Sequence, residues 1–201
     1  MTSLILVRHG ETVWHGENRY AGATDVALTP RGLAQADQLA SWAALAGLST
    51  IWSSPQSRAL RTATACATAS HVDLQIDHRL RELDFGEGEG LTSAEMRARF
   101  PEALAAFDID PVAHHLPGGE DPLAAAGRFV DCLRAISDDH PEDRILVVAH
   151  KTVIRLALCD LIGVPLRRYR RLFPNLGNCT LTEVRVTECQ VALFMFNAPI
   201  H

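Results

Sequence analysis

Apolar positions along the chain follow two alternating rhythms. Leu4 to Val7 is an unbroken apolar run of the kind buried on both faces of a sheet, and Arg144 to Ala149 has the same character. After Thr29-Pro30, a hydroxyl cap followed by a first-turn proline, Leu33, Ala36, Ala40 and Ala43 recur at helical spacing, and Gly47 marks the stop. Thr50 to Ser53 reads as a second strand, Ser57 to Ala69 as a second helix and Val72 to Ile76 as an alternating third strand. Further helices are predicted over roughly Asp121 to Ile136 and Val153 to Ile162, with a break at Asp138-Asp139-His140-Pro141. Thr180 to Val186 and Gln190 to Phe196 read as a closing hairpin around Thr187 to Cys189. This alternation predicts the α/β class: a three-layer sandwich, its central sheet mostly parallel, with helices on both faces.

One stretch breaks the rhythm. Gly86-Glu87-Gly88-Glu89-Gly90 is too flexible for the interior of a strand or helix, and short helical pieces interrupted by Pro101, Pro111 and Pro117 follow it. We read residues 1–201 as one domain carrying a small helical cap insertion at roughly 88–120.

Composition narrows the function classes. Of 201 residues, 47% are hydrophobic, enough for a sizeable core, and the net charge of −5 gives no argument for nucleic-acid or membrane-surface binding. No run approaches the ~20 apolar residues that span a bilayer, and the N-terminus lacks the pattern of a signal peptide. The five cysteines (Cys66, Cys132, Cys159, Cys179 and Cys189) are scattered, without zinc or CxxC spacing, and read as buried small side chains in a reducing compartment. The expectation is a cytoplasmic protein.

Candidate chemistry sits at strand ends. Arg8-His9-Gly10-Glu11-Thr12 follows the first strand, and His150 ends the Arg144 to Ala149 strand, just before a helix. Ligands of open α/β sheets collect outside the carboxyl ends of strands, and a helix N-terminus adds N–H groups suited to an anion. Two histidines so placed, one beside an arginine, point to a phosphate site. His114-His115 suggests a metal less than it suggests exposed cap residues, because adjacent side chains diverge. No carboxylate and histidine cluster has metal-ligand spacing.

The stretch Leu6-Val7-Arg8-His9-Gly10-Glu11-Thr12 resembles the signature of the histidine phosphatase superfamily, which includes cofactor-dependent phosphoglycerate mutases. Further segments resemble that family in order: Leu28 to Gly32 with Gln35-Ala36, Ser53 to Ala59 with Thr62-Ala63, Leu80 to Gly86, Pro117 to Glu120, and Val147 to His150. The resemblance implies that His9 is a nucleophile forming a transient phosphohistidine, with Arg8, Arg58 and His150 around the phosphoryl oxygens. It makes Glu82 the proton donor to the leaving oxygen and the later base for water. Glu11 belongs to the signature but is expected to orient loops. Substrate contacts are assigned to Trp14, His15, Gly22, Lys151 and Thr152. No metal and no cofactor are implied, and the partner is a small phosphorylated substrate.

Four positions depart from the family pattern. His15 replaces an asparagine that commonly donates to phosphate, Lys151 and Thr152 replace a pair of glycines, and Gly88 stands where many relatives have a large aromatic. Losing that ring is expected to loosen or widen the loop after Glu82, affecting substrate fit. Mutases of the family carry a longer insertion with a basic run that holds the substrate carboxylate. The short stretch from Gly90 to Gly119, with Arg97 and Arg99, therefore favours hydrolysis. A mutase-type phosphotransferase and a non-catalytic phospholigand-binding module are the alternatives. Sugar phosphates, phosphoglycerate derivatives, phosphoserine and α-ribazole phosphate all fit as substrates.

Overall fold

The computed structural model describes residues 1–187 and 190–200. Its frame is a six-stranded sheet in the order β3-β2-β4-β1-β5-β6. The strands are β1 (Thr2–Arg8), β2 (Thr50–Ser53), β3 (Leu74–Ile76), β4 (Arg144–Ala149), β5 (Leu181–Val186) and β6 (Val191–Ala198). β3, β2, β4 and β1 pair in parallel, β5 runs antiparallel to β1, and β6 antiparallel to β5. The tip of the expected hairpin at Glu188-Cys189 lies outside the described residues.

The unbroken apolar runs of β1 and β4 have a simple cause. Successive strand residues point to opposite faces, and here both faces are covered. Ile5, Val7, Leu146 and Val148 pack with α1 (Pro30–Ala43) and α2 (Ser57–Ser70) through Leu39, Ala43, Ala59 and Ala63. Leu4, Leu6, Ile145 and Val147 pack on the other face with α5 (Pro122–Asp139) and α6 (Lys151–Leu161) through Phe129, Leu133, Ile154 and Leu158. As the Thr29-Pro30 pair predicts, the Thr29 hydroxyl caps α1 by accepting from Gly32 N–H at 2.9 Å. α1 ends at Ala43, four residues before Gly47. Asp121 likewise caps α5, which runs through Asp138 and Asp139 before the chain breaks. α6 starts at Lys151, two residues earlier than its apolar periodicity indicates, so that His150 is its N-cap. Cys66, Cys132, Cys159 and Cys179 are buried and unbridged.

Between β3 and α5 the chain forms α3 (Ser93–Arg99) and α4 (Pro101–Ile109). They enclose a third apolar cluster of Leu83, Phe85, Met96, Leu104, Phe107 and Leu116. Thr92 and Glu95 form a reciprocal cap at the start of α3. The side chains of His114 and His115 are exposed. α7 (Tyr169–Leu172), preceded by a 3-10 turn at Leu166–Arg168, was not anticipated by the periodicity. No helix among the described residues is long and apolar enough to cross a membrane.

The expected loosening at Gly88 is not what the chain does. Gly88 is buried in a 3-10 turn (Gly86–Gly88), and a β-carbon there would lie 2.5 Å from Leu116 Cδ1 and 3.1 Å from Met96 Sδ. Cap side chains occupy the space that an aromatic ring would take. Gly86 is tighter still. At φ +54° its β-carbon would lie 2.3 Å from Pro117 O and 2.4 Å from Gly119 N. Gly86→Ala is therefore expected to destabilise the fold by about 1–3 kcal/mol, through backbone strain and overlap together. Urea denaturation measures this, and a loss below about 0.5 kcal/mol would contradict the packing described.

Candidate active site

The parallel register sets the centre of the site. Arg8 pairs with Ala149, so the next residues, His9 and His150, leave neighbouring strands side by side. Their ring centroids are 5.1 Å apart. Ser54 follows β2 on the other side of β4, and its hydroxyl lies 2.8 Å from His150 Nε2. Three adjacent strands thus deliver His9, His150 and Ser54 to one end of the sheet.

His9 is held in one tautomer. Its Nδ1 lies 2.7 Å from Gly10 O, an acceptor, so Nδ1 carries the proton and Nε2 keeps its lone pair. Asn178 donates to His9 O at 2.7 Å and steadies the backbone there. Burial, followed by the charges of Arg8 and Arg58, holds the His9 imidazole well below its ordinary range. His150 is lowered in the same direction by burial, then by Arg58 and His9.

The two arginines are held by neutral oxygens. Arg8 Nη1 donates to Leu176 O at 3.1 Å. Arg58, only 1% exposed, donates to Thr24 O and Gly22 O, each at 2.8 Å. No carboxylate among the described residues forms an ion pair with either, although burial pulls the Arg8 guanidinium down to about 10. Arg8 Nε, Arg58 Nε and His150 Nδ1 are buried without a hydrogen-bond partner among the described residues. Such groups are costly unless an acceptor reaches them.

His15 joins the same cluster. His15 Nδ1 lies 3.0 Å from Thr12 N and 2.8 Å from Thr12 Oγ1. Its Nε2 faces Arg8 Nη2 and, at 3.4 Å, Asn178 Nδ2, so donors of two residues converge on that ring nitrogen. Burial first, then Arg8, pushes the His15 imidazole down to about 4.

Glu82 occupies the start of α6. Its carboxylate accepts from Thr152 N–H and Val153 N–H, both at 2.9 Å, and from Leu83 N–H at 2.8 Å. The helix N–H groups that the sequence suggests for an external anion are thus engaged by a carboxylate of the chain itself. The Glu82 backbone is fixed from two sides: its N–H donates to Gln56 Oε1 at 2.9 Å, and Arg128 donates to its carbonyl at 3.0 Å. Arg128 is in turn paired with Glu120.

A cavity of about 340 Å³ opens on this cluster, lined by Arg8, His9, His15 and Glu82 together with Lys151 and Thr152. Arg58 and His150 are buried beside the cluster and do not line the cavity. Two expected substrate contacts fall elsewhere. The Trp14 ring packs against Gly90, where a β-carbon would meet it at 3.3 Å, and does not line the cavity. Gly22 likewise stays off the lining: its N–H donates to Glu89, its carbonyl is held by Arg58, and a β-carbon would lie 2.1 Å from Glu89 Oε1. Glu11 ties the first loop to α1, accepting from the Thr29 hydroxyl at 3.0 Å. No group of three or more potential metal ligands exists among the described residues.

Sequence reasoning missed Arg155, Tyr169, Arg170 and Asn178, the first three of which line the cavity. Arg155 carried a signal, since it follows Lys151 by one helical turn and so shares its face. Tyr169 and Arg170 lie in a run that reads as solvated charge, and only the fold turns them inward.

Comparison with known proteins places this geometry. The pattern of the histidine phosphatase superfamily (branch 1) matches residues 4–199. Phosphoserine phosphatase 1 of Hydrogenobacter thermophilus is 29% identical over 201 residues, covering 100% of this chain and 94% of the relative. A Proteus mirabilis protein named "Probable phosphoglycerate mutase GpmB" is 35% identical over 185 residues, covering 92% and 85%. Among solved structures, a mycobacterial glucosyl-3-phosphoglycerate phosphatase superposes with a TM-score of 0.89 at 26% identity, covering 98% of this chain and 99% of the other. With its strand-end histidines, its fold and its sequence pattern in agreement, the chain belongs to the histidine phosphatase superfamily, branch 1.

Proposed function

We propose that this chain hydrolyses small phosphomonoesters by passing the phosphoryl group through His9. The observation that carries the reading is the set of buried, unpartnered donors, Arg8 Nε, Arg58 Nε and His150 Nδ1, grouped about an imidazole whose Nε2 lone pair is free. A phosphoryl group supplies the missing acceptors. Charge that develops on its oxygens meets donors already in place, which is the efficient form of electrostatic stabilisation.

In the first half-reaction His9 Nε2 attacks phosphorus as the ester P–O bond breaks, and Glu82, entering as the carboxylic acid with its proton on Oε2, which accepts only from Thr152 N–H, passes that proton to the leaving oxygen. In the second, water loses a proton to Glu82 and attacks phosphorus, and the P–N bond breaks to restore His9. Arg8, Arg58, His150 and His15 hold the phosphoryl oxygens. In the tautomer that accepts from Ser54 at Nε2, His150 presents Nδ1–H to the phosphoryl group. Lys151 sits at the rim, and Thr152 acts through Glu82 rather than on substrate. Relatives named for phosphoserine and glucosyl-3-phosphoglycerate support small phosphorylated metabolites as the substrate class.

Relatives named as phosphoglycerate mutases favour a second reading, phosphotransfer between two hydroxyls. Hydrolysis is preferred because the cap contributes only Ser93 to the cavity lining, while Arg99 pairs with Glu87 and Arg97 stays outside. Incubation with 3-phosphoglycerate and 2,3-bisphosphoglycerate separates the readings: isomer exchange without phosphate release would establish the mutase.

His9→Ala is expected to abolish the acid-quenched phosphoenzyme trapped from labelled substrate. Glu82→Gln is expected to slow turnover by about 10²–10⁴-fold. Full activity in either variant overturns the assigned role. Acid should also weaken the fold. His9, His15 and His150 resist protonation when folded, whereas the unfolded chain takes up protons near pH 6.5. Stability is therefore complete above about pH 6.5 and declines as pH falls below it, before most carboxylates titrate. Melting temperatures between pH 7 and 5 test this, and His15→Asn is expected to flatten the decline. An unchanged profile would contradict the burial described.

A further inference from the structure

The cavity holds more positive charge than a single phosphoryl group uses. Beyond Arg8, its lining includes Arg19, Lys151, Arg155 and Arg170. Arg19 is already neutralised by Glu17 and Glu95, each at 2.8 Å. The other three have no ion-pair partner among the described residues.

Arg155 is the most telling. It is 7% exposed, its Nε is buried with no hydrogen-bond partner among the described residues, and one guanidinium nitrogen makes a long contact of 3.4 Å to Tyr169 O. A guanidinium carries five N–H donors, and leaving a buried cation unpaired is costly. The Tyr169 ring orients it from 4.8 Å, and Arg170 lies 5.7 Å from the same ring on an adjoining element. Arg170 is further seated over Phe107 at 4.4 Å and donates to the Tyr169 hydroxyl at 3.1 Å. Aromatic faces orient guanidinium groups without neutralising them. Lys151 stands one turn before Arg155 on α6, and burial, Arg8 and Arg155 all depress its ammonium. Among the described residues Glu82 is the one carboxylate lining this cavity, and it is already engaged by three backbone N–H groups.

We infer that Lys151, Arg155 and Arg170 form a second oxyanion subsite, which receives a carboxylate or a second phosphate of the same substrate while His9 attacks its phosphoryl group. The inference rests on the phosphatase reading and narrows it to doubly anionic phosphomonoesters. Arg155 holds the second group by its fork, Arg170 closes over it, and Lys151 stands between the two subsites.

Matched substrates test it. Phosphate release is measured with 3-phosphoglycerate against glycerol 3-phosphate, O-phosphoserine against O-phosphoethanolamine, and fructose 1,6-bisphosphate against fructose 6-phosphate. Wild-type protein is expected to favour the doubly anionic member of at least one pair by about tenfold or more in kcat/KM. The first two pairs report a carboxylate and the third a phosphate. Arg155→Gln is expected to reduce that preference to about threefold or less. Arg170→Gln, whose side chain is less buried, is expected to lower it in the same direction and covers the case in which Arg155→Gln does not fold. Comparable kcat/KM within every pair for the wild type, or a preference undiminished in both folded variants, overturns the subsite and leaves the phosphatase reading intact. Absence of phosphate release from all six compounds, with no phosphoenzyme trapped, overturns both.

Discussion

The parallel pairing of β1 with β4 is the constraint on which the site depends. Its register sets Arg8 opposite Ala149, and the two histidines follow as the strands end. A slip of one residue would reverse every side chain of β1 between the two cores and carry His9 away from His150. The pairing is well protected against that slip, because Leu4 and Leu6 belong to one core while Ile5 and Val7 belong to the other. Burial of these four side chains and positioning of His9 are consequences of the same hydrogen-bond ladder.

Around that pair the chain assembles positive charge without cancelling it. Arg58 is tethered by loop carbonyls and Arg8 by Leu176 O, so each guanidinium is oriented while its net charge stays available. Carboxylates would hold the arginines more firmly but would neutralise the charge that a phosphoryl group needs. The acidic groups nearby are directed to other work. Glu89 accepts from Gly22, Ala23 and Thr24 N–H and shapes the loop whose carbonyls hold Arg58, while Glu82 closes the start of α6. The cavity is therefore stabilised by backbone hydrogen bonding at its edges and left electrostatically unsatisfied at its centre. This is the arrangement expected of a preorganised anion site.

The cap works mainly through packing. Leu116 and Met96 fill the space beside Gly88, and Gly86 accepts the close passage of Pro117 to Gly119. The cap and the loop bearing Glu82 are thereby one packed unit, fixed further by Arg128 and Glu120. At this end the cavity is lined by Tyr20, Phe85 and Ser93.

Much of this was legible along the chain because periodic burial and strand-end chemistry are local. The continuous apolar runs of β1 and β4 and the Thr29-Pro30 cap identified an α/β sheet, and the ordered motifs around His9, Arg58, Glu82 and His150 pointed to a phosphate site at its strand ends. Other features required residues distant in sequence to meet. That Glu82 rather than a ligand occupies the α6 N-terminus follows from a contact across about seventy positions. That Gly22 and Trp14 pack against loops, that Gly88 is filled rather than open, and that Arg155, Tyr169 and Arg170 face the cavity are equally products of packing. Side-chain type and spacing determined the chemistry available to this protein; only the tertiary structure decided which charges are paired with carboxylates and which remain free to meet a substrate.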